Sequence, residues 1–251
     1  MTEAGTDAEF SEESPATAWQ TAESSSNRRN ERADQVEELE SSELGTKEYW
    51  EASYDTEIQN YKDHGDVGEV WFDEDSQLRI IRWIEKQEDR IKQDDAIIDL
   101  GSGNGMMLVE LAREGYSNLT GVDYSPKAIE LAKAICTDQE LSITYKVADL
   151  LDDAVVRSLG KFSVVHDKGT YDAISLNPDD SKAMRELYIG AVRQLLRDDG
   201  MFILTSCNWT QAELVKSFAE HFVLHVVIPT PTFKFGGSVG NVVTSVVFVK
   251  K

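Results

Sequence analysis

Apolar residues in this chain change period several times, and each change marks an element. Trp50, Tyr54, Ile58 and Tyr61 recur at spacings of four, four and three, which is one face of a helix. Gly65 and Gly68 interrupt it. Asp75 or Ser76 then offers a cap for a second helix carrying Leu78, Ile81 and Ile84. Beyond these, strand-length apolar runs alternate with amphipathic ones. "AIIDLG" reads as a strand, "GMMLVELAREG" as a helix closed by Gly115, and "NLTGVDY" as the next strand. Ser125 caps the following helix, and Pro126 takes its first position, where a missing N–H is no loss. "ITYKVADL" and "KFSVVHD" are the third and fourth strands. A long helix follows from about Asp179 to Arg197, ending at Gly200. "MFILTSC" is the fifth strand, and "TQAE", Thr210 to Glu213, is a capping box that opens another helix.

The end of the chain differs. "FVLHVVI" and "NVVTSVVFVK" are strands joined only by "PTPTFKFGGSVG", which is too poor in helix formers for a crossover. These last two strands should therefore pair antiparallel. The glycines of the linker suit either a rim over an acceptor site or a plain hairpin loop. The sum is an α/β domain: a mostly parallel sheet with helices on both faces and a terminal hairpin. Residues 1–44 are rich in Ser, Glu, Asp, Thr and Ala and show little apolar periodicity, which predicts a disordered acidic tail. The folded domain is placed at 45–251, with a helical cap over 45–90 and a catalytic core over 91–251.

Charge and cysteine content narrow the function. The chain has 251 residues and a net charge of −21. The first 45 residues hold 12 acids and 3 bases and the remainder 34 and 22, so the acidity belongs to tail and domain alike. Such a surface disfavours direct nucleic-acid binding, which wants a basic footprint. No apolar run approaches the roughly 20 residues that span a bilayer, so no membrane partner is expected. Cys136 and Cys207 are isolated, and neither a disulfide framework nor a metal site is predicted. With no signal-like start, the expected compartment is reducing and intracellular, the cytoplasm and also the nucleus. A monomer is expected.

The chemistry gathers at "IIDLGSGNGMML", Ile97 to Leu108, where a strand turns into a helix through Gly101, Ser102, Gly103, Asn104 and Gly105. A strand-to-helix turn at the carboxyl edge of such a sheet is a ligand crevice. The spacing is G-x-G-x-G; the third glycine of a dinucleotide fingerprint would fall at Met106. Asp99 just before the loop is a poor neighbour for a pyrophosphate, and no Gly-Lys-Ser/Thr follows, which excludes a P-loop. A cationic nucleoside without phosphate fits better, and S-adenosyl-L-methionine is one. Asp99 would favour its ammonium, directly or through water. Asp123 ends the second strand and offers two acceptor oxygens to the ribose hydroxyls. Asp149 ends the third and would accept from the adenine amino group, with the Leu150 N–H beside it. Alone, Asp123 or Asp149 reads as a turn or cap residue. Three acids ending three successive strands beside one glycine loop favour a ligand.

"DLGSGNG", "GVDYS" and "VADL" resemble the first motifs of the class I, seven-stranded S-adenosylmethionine-dependent methyltransferases. The resemblance extends from Lys47 to Lys251. It implies a Rossmann-like sheet of order 3-2-1-4-5-7-6 with the last strand antiparallel, and Tyr124 beside the cofactor. "LGTKEYWE", "GEVWF", "HDKGTYDAISLNPD", "LTSCNWTQAEL" and "PTPTFKFGGSVGN" are similar to the eukaryotic elongation factor 1-alpha lysine methyltransferase 2 group, the methyltransferase-like protein 10 family. That resemblance implies methyl transfer to a lysine of translation elongation factor 1-alpha. A small-molecule methyltransferase and a non-catalytic adaptor of the same fold are the alternatives.

The fourth strand ends in "HDKGTYDAI", at the edge that faces the transferable methyl in this fold. It lacks the Asn/Asp-Pro-Pro-aromatic sequence of several other amine methyltransferases. Asp167 is the first candidate to orient the incoming ammonium beside the cofactor and aid proton loss; its alternative is a cap on the turn. Tyr171 is the second candidate, against core packing. Trp71 and Phe72 would wall the cofactor or the lysine stem. Lys168 reads as solvated or bound to a backbone carbonyl, and His166 as a packed neutral histidine. Asn208 and Trp209 stand at the same edge and would line a peptide groove or shape a turn; Cys207 reads as small and buried.

Overall fold

Helix and strand alternate as the apolar pattern predicts. The structure is a computed structural model and describes residues 38–235 and 238–251. Two helices come first, α1 (Lys47–His64) and α2 (Glu74–Glu85). The core follows as β1 (Ile97–Leu100), α3 (Met106–Arg113), β2 (Leu119–Asp123), α4 (Pro126–Asp138), β3 (Thr144–Val147), α5 (Asp153–Leu159) and β4 (Phe162–Lys168). It continues as α6 (Thr170–Ser175), α7 (Ser181–Leu195), β5 (Leu196–Ser206), α8 (Gln211–Phe218) and β6 (Phe222–Ile228). The chain closes with β7 (Thr232–Phe235), β8 (Ser238–Asn241) and β9 (Thr244–Lys250).

The main sheet has the order β3-β2-β1-β4-β5-β9-β6, with β9 in the seventh-strand place. β1 to β5 are parallel, and β9 runs antiparallel to β5 and β6. Every residue of β1 and β2 is buried, because helices cover both faces. Chain connections leave β1 toward β2 on one side while β4 lies on the other, so the carboxyl ends of β1, β2 and β4 open a crevice at the switch point. Caps sit where the sequence puts them at Ser125 with Pro126 and in the Thr210–Glu213 box.

Four boundaries differ from the sequence reading. The second helix is capped by Asp73, whose carboxylate accepts from the Ser76 N–H at 2.6 Å, and not by Asp75 or Ser76. The long helix stops at Leu195. Leu196 pairs with Phe162 and Met201 with Val164, so the residues between loop out. Gly200 packs against the Ser163 carbonyl, where a Cβ would lie 2.8 Å away. The linker before the last strand holds a small antiparallel pair, β7 with β8, and Gly236 and Gly237 between them lie outside the described residues.

The compact unit starts at Glu38, ahead of the expected boundary at 45. Glu38 receives the buried Arg185 guanidinium at 2.6 and 2.7 Å. Ser42 N–H donates to the Leu176 carbonyl at 3.0 Å, and the Asn177 amide donates to the Gly45 carbonyl at 2.8 Å. A strap held by main-chain bonds and one ion pair leaves no apolar period to read. Residues 1–37 of the expected acidic tail lie outside the described residues.

Candidate active site

Steric crowding from the protein itself explains the glycine loop. Gly101, Gly103 and Gly105 all have positive φ, at 62°, 52° and 78°. A Cβ on Gly101 would overlap Thr170 Oγ1, one on Gly105 would overlap Tyr145 Oη, and one on Gly103 would lie 2.6 Å from Tyr54 Oη. Four of the loop amides are also committed. Ser102 N–H donates to the Val122 carbonyl, Gly103 N–H to Asp123 Oδ2, Gly105 N–H to the Ser102 carbonyl and Met106 N–H to Asn104 Oδ1. A phosphate at a helix N-terminus needs free N–H donors. Here the protein has used four of them, which weakens the turn as a pyrophosphate site.

What the loop offers is a carboxylate. Asp123 is buried at the end of β2; Oδ2 accepts from Gly103 N–H at 3.1 Å and Oδ1 from Ser125 N–H at 2.9 Å. Burial pushes its pKa up to about 6, against the pull of those two N–H bonds, with a further push from Asp99 and Glu51. Each oxygen keeps a lone pair, so the group remains an acceptor for hydroxyl donors. Asp149 lies exposed after β3, with Oδ1 on the Leu151 N–H at 2.9 Å.

These groups line one cleft of about 560 Å³, within the size range of ligand pockets. Trp71, Gly101, Ser102, Gly103, Asn104 and Asp123 are on its wall, as are Tyr124, Asp149 and Leu150. Asn104 fixes the entrance: its amide donates to the Val67 and Glu69 carbonyls at 3.0 and 3.1 Å. Beyond the sequence reading, the cleft is walled by Leu44 and Gly45 of the strap, by Trp50 and Tyr54 of α1, and by Lys168 and Asn177. The lining fits S-adenosyl-L-methionine: a buried carboxylate with lone pairs free to accept from a diol, and aromatic walls. Among the described residues no group of His, Cys, Asp and Glu is arranged to hold a metal.

Three assignments are corrected. Asp99 does not reach the cleft wall; register sets it beside His166 on the sheet face, with Oδ1 2.7 Å from His166 Nδ1. Asp167 is fully buried and faces α6 and α7, so it is neither a cofactor contact nor a catalytic group. Its oxygens accept from Thr170 N–H at 2.9 Å, from Tyr171 N–H at 3.0 Å and from the Tyr188 hydroxyl. Burial raises its pKa to about 7; those three donors oppose the rise and Asp172 adds to it. Strand alternation is the reason: His166 and Lys168 point to one face and Asp167 to the other. Tyr171 is 1% exposed and packs among Tyr188, Trp209 and Phe218, which makes it core and not catalytic.

The remaining candidates resolve simply. Trp209 is buried, with Nε1 donating to Ser175 Oγ at 3.1 Å, and Asn208 shapes the turn through Ser206; neither lines the cleft. Cys207 is exposed, not buried, because β5 ends one residue earlier. Lys168 donates to the Trp71 carbonyl at 2.7 Å, and its pKa is lowered by burial against the pull of Asp99, Asp167 and Asp73. Sequence reasoning missed the wall residues Lys168, Trp50, Gly45 and Asn177. "DKGT" alone carried a signal, since period two puts Lys168 opposite Asp167.

Sheet order, glycine turn and cleft together define a methyltransferase domain of the seven-stranded class, and the family model described as a methyltransferase domain matches residues 91–235. The fold is shared by a solved S-adenosylmethionine-dependent methyltransferase from Anabaena variabilis, at a TM-score of 0.61 and 15% identity over 86% of this chain and all of that one. The chain is 50% identical over 213 residues to EEF1A lysine methyltransferase 2 of Danio rerio, covering 84% of this chain and 90% of the relative. It is 47% identical to the Homo sapiens protein of that name, over 83% of this chain and 87% of the relative. It is 37% identical to the protein-lysine N-methyltransferase EFM4 of Saccharomyces cerevisiae, over 85% of this chain and 97% of the relative. The chain belongs to the EEF1A lysine methyltransferase 2 family.

Proposed function

We propose that this chain is an S-adenosyl-L-methionine-dependent protein-lysine N-methyltransferase that acts on translation elongation factor 1-alpha. The observation that carries the reading is the pair of near-full-length likenesses, animal and yeast, to proteins named as lysine methyltransferases, on a chain whose cleft holds the buried carboxylate of Asp123. When bound, the cofactor supplies an electrophilic methyl on a sulfonium. The chain supplies position and shelter. Asp123 accepts the ribose hydroxyls, and Asp149 with the Leu150 N–H reads the adenine edge. Leu44, Gly45, Trp50 and Trp71 close the cleft against water. Holding an amine in line with the methyl accounts for much of such a rate enhancement, and no titratable side chain need touch the reacting nitrogen.

The test is transfer itself. Purified protein is incubated with isotope-labelled cofactor and elongation factor 1-alpha, followed by tandem mass spectrometry of the factor. Label on a lysine side chain is expected, and Asp123→Ala should remove it. Label confined to small molecules in a cell lysate, with none in protein, would overturn the reading.

A further inference from the structure

Two consecutive non-glycine residues, Phe72 and Asp73, have positive φ, at 63° and 69°. Such strain persists only where the surroundings over-determine it, and it concentrates at ligand clamps. The strained pair is pinned at both ends. On one side the half-buried Lys168 ammonium, at the end of β4, donates to the Trp71 carbonyl at 2.7 Å and lies 5.9 Å from the Phe72 ring centroid. On the other, Asp73 caps α2. The result is the placement of one side chain. Trp71 meets Trp50 at 5.0 Å between ring centroids and 58° between planes, an angled corner open to the cleft. Tyr54, stacked 6.0 Å behind Trp50, is on the same wall.

Angled indole faces suit a cation. Their ring quadrupoles attract an ammonium within about 6 Å, and more strongly when water is excluded. The corner stands on the β4 side of the cleft through Lys168, away from the β3 end where Asp149 lies. We infer that the Trp50–Trp71 corner seats the acceptor lysine's nitrogen, and that Lys168 is a positioning residue that holds Trp71 there. The inference rests on the lysine-methyltransferase reading and adds where the lysine sits. In the reaction the amine lone pair forms the new N–C bond, the pair of the breaking S–C bond stays on sulfur, and positive charge moves onto nitrogen. The proton of the new ammonium goes to water. Indole faces beside that nitrogen favour the charge it gains.

The experiment compares Trp71→Leu, which stays apolar but loses the π face, with Trp71→Phe, which keeps a π face. Steady-state kinetics with elongation factor 1-alpha are measured beside calorimetry with S-adenosylmethionine and S-adenosylhomocysteine. The leucine variant should raise KM for the factor about tenfold and change the two cofactor affinities by equal factors, and phenylalanine should recover most of the KM loss. Lys168→Met should shift KM in the same direction. A selective loss of S-adenosylmethionine affinity with S-adenosylhomocysteine unchanged would overturn the inference, because the seated cation would then be the cofactor's sulfonium. Equal loss in the leucine and phenylalanine variants on every readout would also overturn it, leaving a packing role alone. Cofactor calorimetry separates these outcomes from failure of the functional reading, in which wild type binds cofactor but labels no lysine.

Discussion

Replacing Asp123 with asparagine should separate binding from stability. In the free protein this carboxylate has been lifted from 3.8 to about 6, chiefly by burial. A two-unit rise means that keeping it ionised at neutral pH costs about 3 kcal/mol. The sign is that of a raised carboxylate. Its contribution to stability is fully present below about pH 4 and is lost as pH rises through about 6. Asparagine removes that cost, but turns an N–H toward Gly103 or Ser125, and one of those donors loses its partner, at about 1–3 kcal/mol. The two effects nearly cancel, so denaturation of the free variant at pH 7.5 should fall close to wild type.

Binding should not cancel. Ribose hydroxyls donate to an ionised acceptor, and hydrogen bonds to charged groups contribute about 1.5–3 kcal/mol each. Affinity for S-adenosylhomocysteine should therefore drop roughly 10- to 100-fold at pH 7.5. The wild-type binding constant, measured by calorimetry from about pH 5 to 8, should be flat above about 7 and fall toward tenfold per unit below about 6, because binding then releases a proton. The asparagine variant should lack that step. A wild-type profile without a step near 6, or a variant that keeps both affinity and step, would refute the assignment of the ribose to Asp123.

Other outcomes follow from the same geometry. Removing residues 1–37 should leave cofactor affinity within about twofold, whereas removing 1–45 should weaken it at least tenfold by calorimetry, because Leu44 and Gly45 are cleft wall. Glu38→Ala leaves the buried Arg185 unpaired and should lower stability in urea by about 2 kcal/mol, less than for a fully buried pair because Glu38 is half exposed. Asp167→Asn should reduce the decline in stability expected of wild type between about pH 4 and 7, since the raised group favours folding only while protonated, and it should leave cofactor affinity unchanged. Gly101→Ala should abolish cofactor binding by driving a Cβ into Thr170; adding Thr170→Ala should recover only part, because the positive φ of Gly101 still strains alanine.

Much of this fold is legible because local and global signals agree. Continuous apolar runs mark strands buried on both faces, and Ser125-Pro126 and Thr210–Glu213 announce helix starts. The ligand edge is legible for the same reason: Asp123 and Asp149 end strands that the pattern already identifies. Three things were not. Thr170–Ser175 is too short to show a period. The strap from Glu38 is held by carbonyls and one ion pair, which leave no trace in composition. The facing of "HDK" depends on which side of β4 the cleft opens, and only the register with β1 and β5 sets that. A one-residue error of facing exchanged Lys168 for Asp167 as the cleft residue. The missing side chains of the glycine loop make room for Tyr54, Tyr145 and Thr170, which the sequence does not show beside it.

The most direct measurement of the central claim is a crystal structure with S-adenosylhomocysteine. Both ribose hydroxyls should lie within about 3 Å of the Asp123 carboxylate, with the adenine toward Asp149 and the sulfur toward the Trp50–Trp71 corner. A cofactor whose ribose is held elsewhere while Asp123 stays bonded only to Gly103 and Ser125, or a pyrophosphate bound at the glycine turn, would contradict it.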